Sequence, residues 1–177
     1  MSKNELTLSE MREHVAKLAK ELGVVVQFGD DFRSSVTHPV IMIRGLNSES
    51  DYSATLHELG HQYIRVNKPE LFEPITKPIH RYHHCHCNEK SVDFQKARLM
   101  NEQAAWNWAR ENAIEWTVEM SANYLLAIGS YIDHAHRKTK MSIVEIVTSI
   151  IGVDTLKLMF PEWDVRSMYN EISRFQP

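Results

Sequence analysis

Cysteine is scarce in this chain. Among 177 residues only Cys85 and Cys87 carry a thiol, and a single residue separates them. So close a pair does not meet disulfide geometry with itself, and no disulfide scaffold is expected. A reducing cytoplasm is the default compartment. Long apolar runs are missing too. The greasiest stretch, Ile143 to Val153, is interrupted by Glu145, Thr148 and Ser149. A membrane span needs roughly 20 consecutive apolar residues, so none is expected. The start, Met1-Ser2-Lys3-Asn4-Glu5, has no apolar signal core. Neither sign of charge dominates. The net charge of −3 gives no general attraction to nucleic acid or to an anionic membrane, and neither is expected as a partner. There is no internal repeat.

What is present is enough for a core. The apolar fraction is 43%. A domain near this length buries roughly 68–70% of its unfolded surface. One domain over 1–177 is expected. The compositional oddity is ten histidines, with His80, His83, His84 and His86 crowded together.

Leu8, Met11, Val15, Leu18 and Leu22 recur at helical steps, which predicts a helix over 6–22 stopped by Gly23. Val24 to Phe28 and Val40 to Ile43 read as strands, with a short one between them around Arg33 to Thr37. Asn47 to Asp51 offers N-caps for a helix through Leu56, Leu59, Tyr63 and Ile64. Pro69, Pro74 and Pro78 then predict a long loop over 66–90. Ser91 to Leu126 holds neither proline nor glycine, so it should be helical, in one piece or in two bent near Asn112, with Gly129 as its end. Helices are also expected over 143–151 and 164–175. The fold class is therefore α+β. A helix, a small sheet and a further helix fill 1–65, the loop follows, and a helical half occupies 91–177.

The string that carries chemistry is Thr55-Leu56-His57-Glu58-Leu59-Gly60-His61. Residues four apart on a helix share one face, so His57 and His61 can bind one Zn²⁺ together. Glu58 then stands where a general base can take a proton from water activated by the metal. Chance alone gives about 0.05 such strings in a chain this rich in histidine, so the bare match needs its context. The string lies in an amphipathic helix behind a capped turn, and Gly60 leaves room for a close neighbour.

A catalytic zinc takes a third protein ligand and keeps one position open. Glu102 and Glu119 are both candidates. Each is followed three residues later by alanine, which lets its helix pack closely on the motif helix. Glu111, Glu115 and Glu119 also fit a solvated acidic stripe at four-residue steps.

From Asp51 to Ala109 the sequence resembles the ImmA/IrrE-type zinc metallopeptidases. The likeness rests on the His57–His61 string and on the pattern Glu102, Ala105, Trp108, Ala109. It implies a zincin-like, gluzincin-type fold with His57, His61 and Glu102 as ligands and Glu58 as base. Glu119 stays as the alternative, because Ala122 and Asn123 match another part of the pattern. The implied activity is hydrolysis of peptide bonds in a cytoplasmic protein, such as a transcriptional repressor. The peptide would lie along an edge strand, for which Val40 to Ile43 is the candidate.

The histidine–cysteine segment offers a second set of donors, His83, Cys85, His86 and Cys87. It would hold a second, structural ion, reach over the first metal, or form a solvated loop. Trp106, Trp108 and Trp116, with Ile114, Val118 and Leu125, read as packing residues of a buried helix. His134 and His136 read as a solvated basic helix end. Two other functional classes stay open. One is a regulatory binding protein that keeps the zincin fold without cleaving. The other is a metallohydrolase of a non-peptide amide.

Overall fold

The computed structural model describes residues 6–81 and 90–147. The chain divides into two compact units, Met1–Phe72 with Ala104–Tyr124, and Glu73–Gln103 with Leu125–Pro177. The architecture is α+β.

The first unit opens with α1 (Leu8–Leu22). Thr7 caps it through a capping box with Glu10, and hydrogen bonding to Thr7 lowers the Glu10 pKa. Gly23 ends the helix at φ +64°, a conformation that favours glycine. Met11, Val15, Leu18 and Ala19 are its buried face. Three strands follow, β1 (Val25–Phe28), β2 (Arg33–Ser34) and β3 (Val40–Ile43). Their order is β1-β3-β2, parallel for β1 with β3 and antiparallel for β2 with β3. Val40–Ile43 is thus the central strand and not the expected edge. A β1-to-β3 connection that lays down β2 on the far side leaves β1 and β2 as the edges. Ile41 and Ile43 alternate into the core, while Val40 and Met42 face the other way and stay half-buried.

Ser48 caps α2 (Glu49–Asn67), accepting from the Asp51 amide at 3.0 Å. Leu56, Leu59 and Ile64 bury completely or nearly so. Tyr52 ties three segments together. Its hydroxyl lies 2.7 Å from His14 Nδ1 and accepts from the Ile114 amide at 3.2 Å.

The expected loop over 66–90 is helical in its first half, as α3 (Pro69–Arg81). Pro69 occupies the first helical position, where its missing N–H has no intrahelical partner to lose. Pro74 and Pro78 stand four apart, so the two lost bonds fall on one stripe of the helix. Leu71, Phe72, Ile75 and Ile79 repeat at helical steps and supply the amphipathic pattern.

The expected long helix is two helices, α4 (Val92–Asn112) and α5 (Val118–Thr139), and each runs from one unit into the other. Between them 113–117 is non-helical, which takes Ile114 and Val118 out of the buried stripe expected of them. They are 50% and 87% exposed. Glu115 falls in the break as well, so Glu111, Glu115 and Glu119 form no continuous helical stripe. Gly129 does not end α5. It is exposed in mid-helix, and a Cβ there would meet nothing.

In the second unit Leu99, Ile128, Ala135 and Ile146 are buried. Arg98 lies over the Tyr131 ring at 4.9 Å. The short α6 (Ile143–Ile146) closes the described part. The helix expected over 164–175 lies outside the described residues, as do His83, Cys85, His86 and Cys87. Among the described residues no helix is long and apolar enough to cross a membrane.

Candidate metal centre

The site is built on a close crossing of α2 and α4. A Cβ added at Gly60 would fall 2.6 Å from the Ala105 carbonyl oxygen and 3.0 Å from its Cα. Those are backbone atoms that cannot swing aside, so only glycine fits at this contact. Ala105 is fully buried against it, as is Ala109 one turn on. Glu102 precedes Ala105 by three residues and therefore shares its helix face. The crossing that demands Gly60 and Ala105 is what brings Glu102 to the histidines.

His57, His61 and Glu102 each offer a ligand atom, and these atoms all lie within 4.8 Å of one another. The two Nε2 atoms are 3.1 Å apart. Two bare imidazole lone pairs repel at that distance, so a proton or a cation belongs between them. The spacing is close to the edge of about 3.3 Å for a tetrahedron with Zn–N bonds of about 2.0–2.1 Å. Two imidazoles and one carboxylate are also a donor set that zinc accepts, with a fourth position left over. The residues present therefore fit a metal ion. His57, Glu58 and Glu102 are 6%, 8% and 8% exposed, whereas His61 is half-buried. Access is greatest on the His61 side.

The surroundings are aromatic. Trp106 stacks on the His57 ring at 4.3 Å and 22°. Tyr124 meets Trp106 edge-on at 5.6 Å, and burial pushes its phenol up to about 12, so it stays neutral. Trp106 is expected to be a packing residue and is one, but it packs on a candidate ligand. The spacing held the signal, since Trp106 lies four residues after Glu102 on the same face. Trp108 stacks instead on Tyr63 at 5.7 Å.

Gln62 had no signal in the sequence. It is 2% exposed, and its amide donates to Ser34 Oγ, to the Ser35 carbonyl at 2.8 Å and to the Val40 carbonyl at 3.3 Å. One side chain next to His61 thus ties the metal helix to the β2–β3 connection.

Glu119 is placed elsewhere. It is exposed, and its carboxylate accepts from the Ser50 amide at 3.3 Å. Asn123, one turn later, donates to the Ser50 carbonyl at 3.1 Å and to Ser53 Oγ at 2.9 Å. Thr117 donates to Glu49 in the same cluster. The start of α5 therefore braces the start of α2, about 10 Å along the helix from His57. Negative charge there also suits the helix N-terminus.

No family model matches this chain, and no curated protein or solved structure matches it either.

Proposed function

We propose that this protein is a zinc-dependent peptidase acting on a cytoplasmic protein, with a plan like that of the ImmA/IrrE-type enzymes. The observation that carries the reading is the convergence of His57, His61 and Glu102 on one small volume, with a buried Glu58 beside the first ligand. A bound Zn²⁺ would polarise the scissile carbonyl and make water a better acid. Glu58 takes the proton of the attacking water and returns it to the leaving amine. The low exposure of Glu58 and His57 keeps bulk solvent from competing for that proton. Trp106 holds the His57 ring by stacking, and the Gly60–Ala105 contact holds Glu102 at the distance ligation needs. A peptide would add to β2, the sheet edge that packs near α2, through main-chain hydrogen bonds.

The test is metal content by plasma mass spectrometry together with cleavage of a proteome-derived peptide mixture read by mass spectrometry. Wild type should carry one zinc at this site and cut. Glu58→Gln should keep the zinc and stop cutting. Zinc without any cleavage in the wild type would make the chain a regulatory binding protein that keeps the metal.

A further inference from the structure

We infer that the outer face of the sheet holds a second recognition site, which takes an acidic side chain of an extended peptide laid along β2. A cavity of ≈ 460 Å³ is lined by residues of all three strands and of the β2–β3 connection. Arg33 and His38 are its basic members, and Val40 and Met42 its apolar floor. The register makes this one surface. Arg33 pairs with Met42, and Met42 pairs with Gln27, so all three side chains stand on the face opposite Ile41 and Ile43. The floor is tightly laid, because Met42 covers Gly29 so closely that a Cβ there would overlap its sulfur.

Three features point to a carboxylate on a peptide. Arg33 is the permanent positive charge of this lining, and the His38 imidazole stands in the same lining. Among the described residues no carboxylate pairs with Arg33. The neighbouring Asp31 accepts instead from the Phe32 amide at 2.8 Å, and neither it nor Asp30 lines the cavity. Thr37 Oγ1 lies 2.7 Å from His38 Nδ1 and fixes the ring at the rim. Secondly, β2 is only two residues long, and among the described residues no strand pairs with its outer edge. A strand added there sends alternate side chains to the outer face, directly beside Arg33. A guanidinium meets a carboxylate in paired hydrogen bonds, and the volume accommodates Asp or Glu with room to spare. Finally, the cavity wall is coupled to the metal centre. Ser34, Ser35 and Val40 line the cavity and are the three residues that Gln62 grips from its place next to His61.

The inference deepens the peptidase reading by naming its substrate class, and the experiment separates the two. The probes are capped octapeptides of Ala, Ser, Thr and Val with Glu, Gln or Lys at one central position, dye-labelled and titrated by anisotropy. The protein is the full zinc-loaded chain carrying Glu58→Gln, so that binding is read without cleavage. The Glu peptides should bind about three- to tenfold tighter than the Gln peptides, and tighter still than the Lys peptides. Arg33→Gln should erase that preference and leave the Gln peptides within about twofold, while Arg33→Lys restores part of it. Arg33 is exposed, so these variants should fold, which a thermal melt checks. Equal binding of the three sets, or a preference that survives Arg33→Gln, would overturn the inference. So would competition by free N-acetylglutamate as strong as by the peptide, since the strand would then contribute nothing. An Arg33-dependent preference in a wild type that cleaves nothing would sink the peptidase reading and leave this one standing. Cleavage indifferent to acidic residues would do the reverse.

Discussion

Glu102 and Glu119 start from the same local pattern. Each stands three residues before an alanine, on helices of 21 and 22 residues. Ala105 is fully buried under Gly60, whereas Ala122 faces solvent. Glu102 therefore sits among imidazoles, and Glu119 among the backbone groups at the start of α2. A small residue one turn from a carboxylate only permits close packing. A partner helix with its own gap, here Gly60, makes that packing happen.

The largest effects should come from exchanging the two roles. His57→Ala, His61→Ala or Glu102→Ala should weaken zinc affinity by more than about 100-fold, beyond the 10–100-fold typical of a residue that merely orients a ligand. Chelator competition measures it. Glu119→Ala should leave zinc affinity unchanged and cost about 0.5–2 kcal/mol of stability, like the loss of a cap. Zinc lost with Glu119 and kept without Glu102 would reverse the comparison.

The two helical glycines sharpen it further. Gly60→Ala forces α2 off the α4 backbone and should cost about 1–3 kcal/mol, with reduced zinc occupancy. Gly129→Ala has free space and should instead stabilise by about 0.5–1 kcal/mol, with zinc unaffected. Denaturant melts on metal-free protein, paired with zinc counts, separate the two outcomes.

The smallest effect concerns the α1–α2 contact. Burial, and then the charge of Lys17, lower the His14 pKa below the unfolded value of 6.5. The unfolded chain therefore takes up the proton first as the pH falls. The stability His14 provides is present above about 6.5 and is lost below it. His14→Gln should flatten the melting temperature between pH 7 and 5 in the metal-free protein. An unchanged slope would show that His14 is not the titrating group.

Much of the fold was legible because local rules and tertiary contacts agreed. The Gly23 stop, the three strands and the Ser48 start all lie where side-chain chemistry demands them, whereas the Thr7 cap falls inside the helix expected from residue 6. Disagreement arose where one residue type serves two purposes. Three prolines read as breakers, yet Pro69 suits a helix start and α3 keeps an amphipathic stripe. Gly129 read as a stop, but a helix gripped at both ends carries a glycine at a cost of about 1 kcal/mol. A run free of proline and glycine read as continuous helix, although nothing in such a run forbids a break at 113–117.

The sequence by itself determined the α+β class and the pairing of His57 with His61, because a four-residue spacing acts through one helix. It also favoured Glu102 as the third ligand, with Glu119 as the alternative. The choice between them belongs to the crossing of α2 and α4, where a missing Cβ at Gly60 lets two backbones touch. Strand order was decided at the same level. Val40–Ile43 became the central strand because β1 and β2 pair on its two sides, and pairing is a property of chains brought together. The same holds for Gln62, whose reach to Ser34, Ser35 and Val40 exists only once helix and sheet are packed.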